Sequence, residues 1–101
     1  MQGRKAHYSL RKLFGKGYIE VLLYLDEKGN ARFNDVRKFC LEYGVVGSRG
    51  TVPVILKNLT HLKLVERKVV ATRPVQTFYG ITDLGKQVAK HLRSVKGLLS
   101  G

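Results

Sequence analysis

The hydrophobic repeat of this 101-residue chain changes period at Lys63–Leu64, and that change limits the fold more than any other feature. Before it, in the stretch Thr51 to Leu62, the apolar residues Ile55, Leu56, Leu59 and Leu62 gather on one arc of a helix turning 100° per residue. After it, Leu64 to Ala71 alternates and is rich in β-branched residues, as a half-buried strand is. Thr72-Arg73-Pro74 supplies a turn, and Val75 to Ile81 reads as the returning strand. Thr82 then stands as the N-cap of a last helix, with Asp83 favourably placed in its first turn. A helix leading straight into a hairpin and out into another helix leaves few arrangements open.

The residues ahead of this unit complete it. Residues 1 to 6 are polar and basic and read as a loose arm, and His7 to Phe14 reads as a short helix interrupted by Gly15-Lys16-Gly17. Tyr18 to Leu25 is apolar nearly all round, the mark of a central buried helix, and Gly29-Asn30 ends it. Ala31, Arg32 and Phe33 are expected to form a very short strand. Asn34 is expected to cap the next helix, whose apolar stripe is Val36, Phe39, Cys40 and Tyr43 and whose stop is Gly44. Pro53, lacking an amide proton, fits only the first turn of the following helix, which therefore begins between Thr51 and Pro53 and runs to about Lys63. The order helix, helix, turn, helix, hairpin, helix is that of a winged helix-turn-helix. The expected architecture is α+β, a three-helix core with a two-stranded β-hairpin wing, flanked by N- and C-terminal dimerisation helices. One domain spans 1–101: a basic arm and short helix in 1–16, the winged-helix core in 17–82 and a dimerisation helix in 83–101.

Charge points to the partner. Nineteen Lys and Arg against seven Asp and Glu give a formal net charge of +12. Residues 1 to 17 carry Arg4, Lys5, Arg11, Lys12 and Lys16 without an acid. From Tyr43 to Thr82 the single acid Glu66 faces Arg49, Lys57, Lys63, Arg67, Lys68 and Arg73. The other acids lie mostly at Glu20, Asp26, Glu27, Asp35 and Glu42. A merely soluble basic protein would spread its acids more evenly; this polarisation implies one surface for a polyanion.

Five motifs in order resemble a known family: Leu13-Phe-Gly-Lys-Gly17, Ala31-Arg-Phe-Asn-Asp-Val-Arg-Lys38, Leu56-Lys-Asn-Leu59, Leu64-Val-Glu-Arg67 and Phe78-Tyr-Gly-Ile-Thr-Asp-Leu-Gly85. They are similar to those of the HxlR-type winged-helix regulators, which are close in fold to the MarR and PadR groups, and the resemblance covers roughly residues 10 to 92. It implies a dimeric DNA-binding transcriptional regulator with its third helix in the major groove and its hairpin over the minor groove. The chain departs from the family in carrying Tyr18 where Trp is usual, Pro53 and Val54 in a normally more polar recognition helix, and Gln76 at the wing's usual arginine.

On that reading the side of the Thr51–Leu62 helix opposite its apolar arc carries Val54, Lys57, Asn58 and His61 and no acid. Asn58 can pair with adenine through two hydrogen bonds, Lys57 or His61 can reach guanine or phosphate, and Val54 can touch a thymine methyl. Arg49 and Thr51, near the helix N-terminus, suit phosphate. Lys68 and Arg73 would lie on the wing, Arg73 as the candidate for minor-groove insertion. Taken alone, the same helix is equally an ordinary amphipathic surface helix.

The last helix bears on assembly. Leu84, Val88, Leu92, Val95 and Leu99 recur over about 16 residues, roughly 24 Å, more than a small domain can cover. Pairing with its own copy and with the stretch from Tyr8 and Leu10 to Phe14 of a second subunit would bury the stripe and make a homodimer. The alternative is that it folds back on its own domain.

Catalysis has no visible basis: there is no nucleophile–base pair and no phosphate-cradling glycine motif, so no enzyme and no cofactor are expected. His7, His61 and His91 lack partners at ligand spacing, so no metal is expected. Cys40 is the only cysteine; it lies on an apolar stripe and reads as a core residue, an intersubunit disulfide being the alternative. The chain has neither an apolar run of membrane length nor a signal peptide, and a cytoplasmic, nucleoid-associated protein without a membrane partner is expected. A small-molecule effector at the dimer interface is open, since no residue demands one. Two further readings compete with a sequence-specific regulator of double-stranded DNA. One is an architectural protein coating DNA with little preference, and the other is a winged helix used as a protein-interaction module.

Overall fold

The computed structural model describes residues 2–47 and 50–101, with side chains from Tyr8 onward. Its elements in chain order are α1 (Gln2–Leu13), α2 (Tyr18–Lys28), β1 (Asn30–Arg32), α3 (Phe33–Glu42), α4 (Thr51–His61), β2 (Val65–Val70), β3 (Gln76–Ile81) and α5 (Asp83–Ser100). The three strands form one antiparallel sheet in the order β1-β3-β2. This α+β arrangement is the expected winged helix, with β2 and β3 as the wing.

The core forms where the helical arcs meet the inner face of the sheet. Val21, Leu22 and Leu25 of α2, Val36 and Cys40 of α3, and Val52, Ile55, Leu56 and Leu59 of α4 have no solvent exposure. Ala31, Val65 and Tyr79 close the core from the sheet, and they share a face because Ala31 pairs with Tyr79 while Val65 pairs with Ile81, two residues on. Burying each large side chain contributes about 1.5–3 kcal/mol.

Two glycines allow close approaches. At Gly85 a Cβ would stand 2.1 Å from the Leu64 carbonyl oxygen, so only glycine lets the start of α5 lie against the α4–β2 junction. Thr82 fastens the same point: its hydroxyl donates to the Lys63 carbonyl at 2.7 Å and accepts from the Gly85 amide at 3.0 Å, confirming it as the cap of α5. Gly17, at φ +89°, opens α2 where a Cβ would meet the Ile55 side chain at 2.9 Å. The carboxyl end of α4 and the first turn of α2 are thus both held at short range.

Several boundaries differ from those the sequence implies. The arm is not loose: α1 begins at Gln2 and is continuous to Leu13, whose buried side chain anchors its far end. Once such a turn is fixed, each added residue costs little, and no proline stands in the way. Asn34 is not an N-cap. Pairing of Arg32 with Phe78 holds Arg32 extended (φ −72°, ψ 153°), so α3 starts at Phe33 and Asn34 falls inside its first turn. Tyr43 leaves the apolar stripe; it is 72% exposed at the end of α3, its ring lying against Phe39, which in turn stacks on Tyr24. α4 stops at His61, leaving Leu62 half-buried beyond it and Lys63 at φ 67°.

Candidate nucleic-acid interface

Helix α4 divides sharply between its two sides. Val52, Ile55, Leu56 and Leu59 are fully buried, whereas Pro53, Val54, Lys57 and His61 are exposed, Val54 by 52%. Pro53 sits in the first turn, where its missing N–H would have had no helical acceptor. Thr51, at the first position, is half-buried. The outward ridge therefore offers a cation, an imidazole and an isopropyl group, and no carboxylate.

Asn58 departs from the expected arrangement. It is half-buried, and its side-chain amide donates to the Tyr18 hydroxyl at 2.6 Å. On the helical wheel it lies at the edge of the exposed ridge, near enough to α2 for that bond. The carboxamide is thus engaged within the domain, fixing α4 against the start of α2, instead of standing beside Lys57 and His61.

On the wing, Lys68 is exposed in β2 and Arg73 is exposed in the turn. The turn closes on itself: the Thr72 amide donates to the Val70 carbonyl and its hydroxyl donates to the Pro74 carbonyl at 2.8 Å. Arg49 lies outside the described residues. Residues missing from the expected set are Arg32 and Arg67, which line a cleft where the wing meets the start of α3. Arg67 was visible only as one more cation in a basic stretch; its placement depends on the pairing with Tyr79.

The stripe on α5 is divided. Its middle is used within the domain: Val88 and Leu92 are half-buried against the core, Ala89 is buried, and Arg93 forms an ion pair with Asp26 while reaching the Leu23 carbonyl. Leu84 and Val95 stay about half exposed, and at the end Leu98 and Leu99 are 82% and 84% exposed. Tyr8, Leu10 and Phe14 of the α1 segment are also exposed. Val88 and Leu92 therefore belong partly to the fold itself, while the bare apolar surface lies at the two ends of α5 and along α1.

Cys40 is a core residue with no exposure. Burial pushes its thiol up to about 11, assisted by the Glu20 carboxylate, so it stays protonated and unreactive near neutrality. Burial likewise raises the Tyr24 hydroxyl above its usual range, with a smaller contribution from Asp35. Among the described residues no three His, Cys, Asp or Glu side chains come together as metal ligands, and no helix is long and apolar enough to cross a membrane.

Comparison with known proteins agrees with this geometry. The sequence profile of the HxlR-like helix-turn-helix family matches residues 13–100. No curated protein sequence matches significantly. Among solved structures, a transcriptional regulator homologue from Pyrococcus horikoshii OT3 superimposes with a TM-score of 0.73 at 22% identity, covering 100% of this chain and 97% of that one. Diamide-treated YodB from B. subtilis gives 0.71 at 22% identity, covering 92% and 87%. A PadR family transcriptional regulator from Eggerthella lenta DSM 2243 gives 0.68 at 17% identity, covering 99% and 91%. With a profile match over most of its length and the helix-turn-helix and wing in place, the chain belongs to the HxlR-like helix-turn-helix family of DNA-binding transcriptional regulators.

Proposed function

We propose that this regulator binds duplex DNA sequence-specifically as a homodimer, with α4 in the major groove and the β2–β3 turn at the adjacent minor groove. The observation that carries the reading is the acid-free ridge of Val54, Lys57 and His61 standing over a completely buried arc. An amphipathic helix held rigidly from behind is the element a major groove admits. Lys57 and His61 are assigned to bases or phosphates, Val54 to a thymine methyl, and Thr51 and Arg49 to phosphates at the helix start. Lys68 and Arg73 contact the backbone and minor groove from the wing. Asn58 acts mainly by holding α4 against Tyr18.

The exposed apolar ends of α5, together with Tyr8, Leu10 and Phe14, support dimerisation, since a second copy is the partner that would cover both. In such a dimer two recognition helices about 34 Å apart meet successive major grooves on one side of the duplex.

Selection of bound sites from random duplexes at two salt concentrations tests the reading. A two-fold symmetric site that sharpens at the higher salt is expected. A second reading, an architectural protein with little base preference, is favoured by one observation: with Asn58 engaged by Tyr18, few hydrogen-bonding groups remain on the ridge. Protection that never narrows to one site as salt rises would select it.

A further inference from the structure

The sheet has a second face, turned away from the core. Ala31, Tyr79 and Val65 point into the core, so alternation along the strands sends Asn30, Arg32, Glu66, Lys68, Phe78 and Gly80 to the other side. The register sets these six in two rows: Arg32 and Lys68 flank Phe78, and Asn30 and Glu66 flank Gly80. A depression of about 460 Å³ takes in Gly80, Phe78, Lys68, Asn30 and Glu66, and no helix residue lines it. Phe78 is half-buried, while Arg32, Lys68, Asn30 and Glu66 are exposed. Among the described residues neither Arg32 nor Lys68 is in an ion pair.

Gly80 indicates what the depression is for. Glycine inside a strand costs stability relative to a β-branched residue. Gly80 has no positive φ, and a Cβ there would make only ordinary contacts, 3.6 Å from the Asn30 Cβ and 3.7 Å from the Gly29 carbonyl oxygen. The fold therefore does not require glycine here, as it does at Gly85. The other use of a strand glycine is to let a ligand approach the backbone. A flat ring beside an aromatic residue, with a cation on either flank, suits a nucleobase carried on phosphates. We propose that this face stacks a base of unpaired DNA on Phe78, with Gly80 as the floor and Arg32 and Lys68 on the neighbouring phosphates. Asn30 and Glu66 then meet the edge of the base; the carboxylate accepts from an amino group and repels phosphate, which keeps the strand's backbone along the Phe78 row. One stacked base on an open face holds a free nucleotide too weakly, so the occupant is a strand whose further phosphates add to the attraction. The site is separate from the α4 ridge and goes beyond the duplex reading.

The test uses the full chain and fluorescence anisotropy with an unstructured deoxythymidine strand of about eight nucleotides. Wild type should bind it, and Phe78→Ala should weaken binding by about 5- to 150-fold, the loss of one stacked base. Phe78→Tyr should retain binding. Gly80→Val fills the depression with a residue that strands favour, so it should melt no lower than wild type yet lose binding to a similar degree. Arg32→Gln with Lys68→Gln should lower the slope of log K against log salt by about 1.4. Lys57→Ala should leave the affinity for the strand unchanged while weakening duplex binding. Wild type that does not bind the strand overturns the inference, as do Phe78→Ala and Gly80→Val proteins that bind it like wild type. Parallel loss of strand and duplex in Lys57→Ala would place the strand on α4 and overturn it too. A uridine strand bound more tightly than the deoxythymidine one, or thymidine monophosphate bound as well as the strand, would overturn the assignment to unpaired DNA. Should Phe78→Ala fail to melt cooperatively, Gly80→Val decides alone. None of these outcomes alters the result of the duplex selection, so the two readings fail separately.

Discussion

Helices α4 and α5 are both amphipathic, yet the domain treats them differently. α4 buries all of its apolar arc within the chain and presents a ridge with a cation, an imidazole and one small apolar group. α5 buries only its middle and leaves Leu98 and Leu99 almost fully bare at its end. A helix whose apolar side is completed internally can spend its outer face on a polar partner such as a nucleic acid. One left unfinished keeps apolar surface open at its end. The charge distribution agrees, since the long stretch containing α4 and the wing, Tyr43 to Thr82, holds a single acid.

The sharpest break of this contrast is Leu56→Ala against Leu99→Ala. Leu56 has no exposure, and its truncation should cost about 2–5 kcal/mol, a large share of the stability of a domain this size. Leu99 is 84% exposed, so within one subunit its truncation should cost only a few tenths of a kcal/mol. Urea titrations at a concentration where the protein is monomeric would measure both, and comparable losses would erase the distinction between the two helices.

The second break concerns assembly. Leu98→Asp with Leu99→Asp should shift sedimentation from dimer to monomer, because two carboxylates cannot be buried unpaired at an apolar contact. The melting temperature should then stop rising with protein concentration. DNA binding to a two-fold site should weaken strongly, whereas binding to a half-site should hold. A double variant that still sediments as a dimer would move the interface elsewhere, with α1 the next surface to probe.

A smaller effect sharpens the α4 side. Lys57→Ala and Arg73→Ala should each reduce the salt slope by up to about 0.9 for every phosphate that is no longer neutralised. Arg73→Ala should weaken all sequences equally, as a wing residue that grips the backbone would. Lys57→Ala should weaken the selected site more than random duplex if Lys57 meets a guanine. Equal losses for Lys57→Ala on both duplexes would place Lys57 on a phosphate.

The features legible in the sequence are the local and periodic ones. The α4 arc, the change of period at Leu64, the positive-φ stop at Gly44 and the Thr82 cap each depend on residues within a few positions of one another. What escaped depends on partners far along the chain. β1 is only three residues long and owes its limits to pairing with β3, which is why Asn34 resembled a cap and proved to be the second residue of a helix. Arg67 acquired significance only through its register with Tyr79. Val88 and Leu92 fit the spacing of an intersubunit stripe, and only the docking of α5 on α2, held by Arg93 and Asp26, showed how much of them the domain itself uses.

Asn58 is the clearest case, and it yields the smallest of these predictions. Wheel geometry places it at the border of the ridge, where an adenine reader and a structural amide look alike; its partner Tyr18 lies forty residues away. Tyr18→Phe keeps the ring and removes only the acceptor, so it should cost about 0.5–1.5 kcal/mol in denaturant melts, and Asn58→Ala should cost a similar amount. If the pair acts as a unit, the double variant should be no worse than the sum of the two and closer to either single. Both changes should then alter DNA affinity by the same small factor, through slackened seating of α4. A direct base contact has another signature: Asn58→Ala would flatten the preference between selected and random duplexes while Tyr18→Phe left it unchanged. The comparison of these two single variants therefore decides whether the outward ridge of α4 offers three groups or four.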